Sequence, residues 1–489
     1  MKQVSRRSFL AGASALAGFG GCRSLWLPGD NPQLKVGVIS DIHVTTPAST
    51  EVLERALVYF RDRKADAVLI AGDLSDWGLL SGLKCVAETW NRVFPNDKAP
   101  DGRKVAKLFV TGNHDYEGWW YGDMTAEMHA LGYSEDEALI KLGMKKCWEE
   151  TFQEPFAPVR CHTVNGYDFI SGEWYGGRDK TPGFNLMPDW FKEHGKALDP
   201  ARPFFYFQHP PVPNTVVSSS KAGGPLQQIT DTLAAYPNAV AFTGHTHWTF
   251  NDERAIWQGA FTSVSIPSLS YTTVPSGSVN GSDVRNGRKP PTCTMPIIPA
   301  RFNLEEAQGY FMSVYKDRIV FDRHDFTQSV AGGAPWVVPL PMTAESKPFT
   351  FKAHGARTPV PEFPAGAKLK MFTTNANARS GRWAIVFVLD FPAANAVKGA
   401  RAFDYEMRAV PADGSAPVVK RFLSPAFHKL PKDEPQQVRF WMDSMDMPQD
   451  VEYRVEIYPR NCFGACGKPL VDGVTRRAKP GKDKVSTPA

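Results

Sequence analysis

Five short apolar runs, each ending in a polar tip, constrain this chain more than any other feature. Val36-Gly37-Val38-Ile39 runs into Ser40-Asp41-Ile42-His43, and Val68-Leu69-Ile70-Ala71 into Gly72-Asp73-Leu74-Ser75-Asp76. Leu108-Phe109-Val110 ends in Thr111-Gly112-Asn113-His114-Asp115, Phe204-Phe205-Tyr206-Phe207 in Gln208-His209-Pro210, and Val240-Ala241-Phe242 in Thr243-Gly244-His245-Thr246-His247. Continuous runs of this length read as strands buried on both faces. Between the first two, Val52, Leu53, Ala56, Leu57 and Phe60 recur at helical spacing, so a β-α-β unit is expected with its helix from about Thr50 to Arg63. Strands joined by such crossovers lie parallel, and groups at their carboxyl ends meet along one rim.

Taken singly, an Asp before a loop is a turn or cap residue, and a lone His is an ordinary hydrogen-bonded side chain. Collectively they are harder to dismiss. Of eleven histidines, His43, His114, His209, His245 and His247 fall in these tips, where independent turn chemistry has no reason to gather them. The i, i+2 spacing of Asp41 with His43, and of His245 with His247, would point each pair to the same side of an extended segment, a chelating arrangement.

The ordered set Asp-x-His, Gly-Asp-x-x-Asp, Gly-Asn-His-Asp, a lone His and Gly-His-x-His resembles the calcineurin-like metallophosphoesterases, over about Lys35 to Ser270 and extending to about Asp325. The resemblance implies an α/β fold, a four-layer α/β/β/α sandwich, with a binuclear metal site. Carried over motif by motif, Asp41, His43 and His247 would bind one ion, Asp73 would bridge both, and Asn113, His209 and His245 would bind the other. His114 would face the scissile group as the catalytic histidine, and Asp76 and Asp115 would orient the ligands by hydrogen bonds. Mixed oxygen and imidazole donors suit Mn, Fe, Zn or Ni. The implied activity is hydrolysis of phosphate esters, phosphodiesters favoured, by hydroxide bridging the two ions. A phosphomonoesterase or nucleotidase with the same site, or a surface-binding protein that has lost turnover, are the alternatives. Purple acid phosphatases carry a metal-bound Tyr where this chain has Asp76, and Gly112-Asn113-His114-Asp115 looks more like the cyclic-nucleotide phosphodiesterase branch. The aromatic cluster Tyr116-Glu117-Gly118-Trp119-Trp120-Tyr121 either stacks on a substrate or packs against a neighbouring domain.

Other classes fall away. No Gly-x-Ser-x-Gly elbow and no phosphate-binding Gly-x-x-x-x-Gly-Lys-Ser/Thr loop is present. The formal charge of +5 sits largely at the two ends, leaving a nearly neutral body without a nucleic-acid-binding footprint. No apolar run approaches the roughly 20 residues that span a bilayer.

Ser5-Arg6-Arg7-Ser8-Phe9-Leu10 and the mild apolar stretch from Ala11 to Gly21 resemble a twin-arginine export signal. Phe19-Gly20-Gly21-Cys22 resembles a loose lipoprotein processing site, with Phe where Leu is preferred, and a lipid on Cys22 would anchor the protein. The expected location is the periplasm, free or as a membrane-anchored lipoprotein facing it. Cys462 and Cys466 are spaced to form a disulfide or to remain free thiols.

The expected organisation is a signal and linker over 1–30, a catalytic domain over 33–328, and a linker over 329–365 with an aromatic anchor at Trp336. A β-sandwich over 366–475, fibronectin III-like, and a basic tail over 476–489 complete it. A hairpin is expected around Lys316-Asp317. Tyr271 to Pro299, rich in Ser, Gly, Pro and Asn, reads as a rim or lid over the site. Alternating strands at 383–388, 403–407, 438–441 and 453–458 mark the sandwich, with Tyr453 as a candidate corner tyrosine.

Overall fold

The computed structural model describes residues 31–120, 122–174, 182–219, 225–273, 306–377, 383–425, 427, 437–443, 447 and 451–476. The export signal, Cys22, most of the Tyr271–Pro299 loop and the tail beyond Arg476 lie outside the described residues.

Two sheets face each other. The first contains β1 (Leu34–Ile39), β2 (Ala67–Ala71) and β3 (Ala106–Val110), parallel and in that order. The second contains β4 (Val159–Val164), β5 (Tyr167–Gly172), β6 (Phe204–Gln208), β7 (Ala239–Thr243), β8 (Ile256–Gln258) and β9 (Thr262–Ser265), in the order β4-β5-β6-β7-β9-β8. The expected hairpin forms: β10 (Gln308–Val314) and β11 (Arg318–Asp325) pair antiparallel, and β10 joins the first sheet beside β1.

The alternation of side chains explains why the runs are apolar throughout. Val36, Val38 and Leu69 point inward to meet Phe205, Phe207, Val240 and Phe242 of the other sheet. Ile39, Val68 and Ile70 point outward, under Leu53, Leu57 and Phe60 of α1 (Glu51–Asp62) and Leu83, Val86 and Trp90 of α2 (Leu80–Val93). On the far side, Ile170, Tyr206 and Ala241 pack beneath Phe191 of helix Met187–His194 and Ile229 of helix Pro225–Leu233. Each large side chain so buried is worth about 1.5–3 kcal/mol. The layers are α/β/β/α.

The stretch 329–365, expected as a linker anchored at Trp336, also contributes strands. β12 (Val330–Ala331) and β13 (Trp336–Pro339) pair with β11, extending the first sheet, while Trp336, Val338 and Phe349 enter the core between the sheets. Phe349 also exchanges backbone and side-chain hydrogen bonds with Gln258 of β8. Its Pro and Gly content reflects a tight strap along an edge, where proline costs no ladder bond.

The C-terminal region is all-β, with its own core. β14 (Lys370–Asn377), β15 (Trp383–Pro392) and β18 (Gln437–Asp443) form one antiparallel sheet. β17 (Val418–Leu423), β16 (Asp404–Pro411), β19 (Val451–Arg460) and β20 (Leu470–Arg476) form the other. The three-plus-four arrangement is fibronectin III-like, and Tyr453 is buried between the sheets. Cys462 and Cys466 are free thiols.

Candidate metal centre

The five tips lie on both sheets and converge across the gap between them. Within the first sheet, the tip after β1 leans on the tip after β2: Asp41 N–H donates to Gly72 O at 3.0 Å, and His43 N–H to Asp73 O at 3.0 Å. Within the second, Gly244 N–H donates to His209 O at 3.0 Å. The sheets are then stitched together. His245 N–H reaches both Asp41 carboxylate oxygens at 3.0 Å, and His209 Nδ1–H donates to Ala71 O at 2.7 Å.

The tips are not extended. Asp41, His43, Asp73, His245 and His247 all have positive φ, from 51° to 71°. The expected chelates on extended segments are therefore corrected: left-handed turns aim these side chains, and His245 and His247 diverge. His247 goes to Asp41 and His43, His245 to Asn113 and His209. Holding non-glycine residues there costs on the order of 1–3 kcal/mol each, an expense that clusters at functional sites. Gly112 and Gly244 make the approach feasible. A Cβ on Gly112 would lie 2.1 Å from Asp73 Oδ1, and one on Gly244 1.9 Å from Ser40 Oγ and 2.6 Å from Asp41 Oδ2.

Two nests of acceptors result. In the first, His43 Nδ1–H donates to Asp76 at 2.6 Å and His247 Nδ1–H to Tyr271 O at 3.0 Å. Both Nε2 lone pairs therefore turn inward, 3.1 Å apart, with Asp41 Oδ1 3.1 Å from His247 Nε2 and Asp73 Oδ2 3.7 Å from His43 Nε2. In the second, His209 Nε2 lies 3.1 Å from Asp73 Oδ2 and 3.0 Å from Asn113 Oδ1, which is 2.8 Å from His245 Nδ1. Buried acceptors facing one another at contact distance repel unless a cation or a proton stands between them. Asp73 belongs to both nests. The donor set fits two borderline divalent or trivalent ions, and Asp41, His43, Asp73 and His247 form a metal-binding cluster.

The electrostatics point the same way. Burial alone would raise Asp41 and Asp73, but the surrounding imidazoles outweigh it and bring Asp73 down to about 2 and Asp41 below the carboxylate range. Burial would lower His209, yet Asp73 and Asp41 raise it to about 9. Burial and His209 together push His245 down to about 4.

His114 stands beside this cage. Its ring lies 4.6 Å from that of His43, and its Nδ1 is 2.8 Å from Asp76 O and 3.2 Å from Asp76 Oδ1. Burial works against its charge, but Asp76 and Asp73 lift it to about 9, so it holds a proton at neutral pH. Asp115 accepts from Gly112 N and Ser75 N at 2.8 Å and from Leu74 N at 3.3 Å, tying the second tip to the third. Burial and the like charge of Asp73 raise its carboxyl to about 7. Of the aromatic cluster, Trp119 packs within its own domain, on Trp77, Leu79 and Met128.

Sequence reasoning missed two aromatic walls. Tyr271 lies with its ring 4.2 Å from that of His247, and Trp174 stacks 6.1 Å from His245. Trp174 ends a sixth apolar run, Phe169-Ile170-Ser171-Gly172-Glu173-Trp174, of the same form as the other tips. Glu173 is fully buried, accepts from Thr111 N and Oγ1 at 2.8 Å, and pairs with Arg160.

These residues and this fold define a class. The model of the calcineurin-like phosphoesterase family matches residues 34–249, and that stretch is a calcineurin-like phosphoesterase domain. A transmembrane protein with a metallophosphoesterase domain from Danio rerio is 31% identical over 99 residues, 19% of this chain. The match spans about a fifth (21%) of that relative's length. Among solved structures, the chain is similar to a dimetal phosphatase from Danio rerio, with TM-score 0.39, 11% identity, and coverage of 63% of this chain and 100% of that one. It is also similar to a purple acid phosphatase from yellow lupin, with TM-score 0.38, 10% identity, and coverage of 62% and 53% respectively.

Proposed function

We propose that the protein is an exported, dinuclear metal-dependent phosphoesterase that favours phosphodiesters. The observation that carries this reading is the convergence of imidazole and carboxylate lone pairs on both sides of Asp73, which calls for positive charge at two adjacent places. Asp41, His43, Asp73 and His247 would hold one ion, and Asp73, Asn113, His209 and His245 the other. Bound there, two such ions supply charge that polarises phosphoryl oxygens and lowers the pKa of water to near neutrality.

The remaining steps belong to the chain. His114, its ring held by Asp76, would donate a hydrogen bond to the charge that develops on phosphate, or its proton to the departing oxygen. Asp76 fixes His43 and His114 together, so the metal-side and leaving-group-side imidazoles keep one relative orientation. Tyr271 and Trp174 flank the cage and would restrict how a substrate body approaches. The diester preference rests on the motif resemblance and on Asp76 standing in place of a tyrosine. Export by the twin-arginine route, to the periplasm or to a lipid anchor at Cys22, rests on the N-terminal motif. Among the described residues no helix is long and apolar enough to cross a membrane.

The test is parallel turnover of bis-(p-nitrophenyl) phosphate and p-nitrophenyl phosphate by purified, metal-loaded protein. Faster diester cleavage supports the reading. Faster monoester cleavage replaces it with a phosphomonoesterase, and no turnover of either removes the enzyme.

A further inference from the structure

Among the described residues β3 edges the first sheet, so the tip that follows it, Thr111-Gly112-Asn113, has a strand neighbour on one side only. On that side Asp115 ties it to the second tip. The other side is closed from the second sheet. Glu173, the residue after β5, accepts from Thr111 N and Thr111 Oγ1 on one carboxylate oxygen, both at 2.8 Å. Its other oxygen pairs with Arg160 of β4.

Each member of this relay is itself fixed. Glu173 N–H donates to Pro158 O at 3.0 Å, and Gly183 N–H to Glu173 O at 2.9 Å. Arg160 also donates to the carbonyl of Phe109 in β3, and its guanidinium lies 5.1 Å from the Trp148 ring centroid. Glu173 is 0% exposed and Arg160 8%. A buried ion pair is often no more stabilising than apolar residues of similar volume, which leaves positioning as the role to explain.

The position at stake is that of Asn113, two residues after Thr111. Its Oδ1 faces His209 Nε2 at 3.0 Å and His245 Nδ1 at 2.8 Å, both carried by the second sheet. The second nest therefore closes only where the two sheets keep their spacing at this edge. The first nest takes Asp41, His43 and Asp73 from one sheet, and its fourth member, His247, follows β7, two strands away from β5. We infer that Glu173, braced by Arg160, is a positioning residue for the ion of the second nest: it sets the reach of the Asn113 amide oxygen toward His209 and His245. The inference rests on the dinuclear part of the proposed function and is independent of the substrate.

The experiment is calorimetric titration of chelator-stripped, full-length protein with manganese(II) chloride, with folding checked by circular dichroism. The native protein is expected to take about two ions per chain. E173Q/R160M, which removes both charges together, should weaken one site about 10–100-fold and leave the other unchanged. Thr111→Val deletes one hydrogen bond and no charge; it should weaken the same site about three- to tenfold, and it carries the test if the double variant fails to fold. His245→Ala, which disables the second nest, identifies that site: in its background one ion remains, and E173Q/R160M should not weaken it further. Val338→Ala, which opens the core at β13, should lower the thermal midpoint with both affinities kept. Unchanged affinities in Thr111→Val and E173Q/R160M, equal loss at both sites, further loss in the His245→Ala background, or the same selective loss in Val338→Ala would each overturn the inference while the dinuclear reading stands. A native protein that binds a single ion would overturn that reading and the inference with it.

Discussion

Asn251 Nδ2 donates to the Phe427 carbonyl at 3.0 Å, joining the catalytic loop to the C-terminal sandwich four residues after His247. Both residues are buried, and three residues on Arg254 lies over the Phe403 ring at 4.8 Å. The loop that carries two candidate metal ligands is therefore held from both ends: by the cage on one side and the sandwich on the other. Asn251→Ala strands a buried carbonyl, which costs about 1–3 kcal/mol. Urea unfolding should show that loss, and an unchanged midpoint would mean that the junction does not contribute to stability.

Gly112 lies where Asp73 needs to be. Its replacement by Ala puts a methyl group 2.1 Å from Asp73 Oδ1 and 2.5 Å from Asp73 N, with no flexible neighbour to yield. The expected outcome is a folded protein with reduced metal content, read by elemental analysis alongside circular dichroism. Native metal content in Gly112→Ala would show that Asp73 can shift without loss.

His114 should separate binding from turnover. Because its ring meets Asp76 and its backbone N–H, which Ala keeps, donates to Asp73 Oδ1 at 2.8 Å, His114→Ala is expected to keep both metals while activity falls about 10²–10⁴-fold. Loss of metal in this variant would make His114 a ligand.

Glu253 provides an acid-sensitive fastening between the strap and the sheets. Burial would raise its pKa, but Arg323 and His354 hold it down at about 2, against 4.5 for a free glutamate. A depressed carboxylate stabilises fully above its unfolded pKa, and that contribution is lost as pH falls from about 4.5 toward 2. At about 1.4 kcal/mol per pH unit the total is on the order of 3 kcal/mol. Glu253→Gln should be less stable at neutrality and show a shallower fall in that acid window. Parallel stability curves for the two proteins would contradict the assignment.

What the sequence disclosed follows from burial. β1, β2, β3, β6 and β7 are covered on both faces, so their apolar runs stand out, and their tips carry residue types with few reasons to gather. β17 and β20 were harder because they are largely half-exposed or exposed and lack a continuous run. β12 and β13 hide among Pro and Gly because they edge a sheet. The left-handed backbone at Asp41, His43, Asp73, His245 and His247 was not legible, since residues with a Cβ seldom adopt it and only the packed tips enforce it. Trp174 and Tyr271 were missed because their role depends on ring contacts with tips distant along the chain, His245 for Trp174 and His247 for Tyr271.

The central claim is that the two acceptor nests exist to hold cations through one shared carboxylate. The direct measurement is metal stoichiometry with diester turnover, for the native protein and for Asp73→Asn. The account predicts about two equivalents per chain, activity that disappears on chelation and returns with added metal, and a variant with fewer ions and no turnover. A native protein that cleaves the diester at full rate after its metals are stripped, or an Asp73→Asn variant as active as the native one, would contradict it.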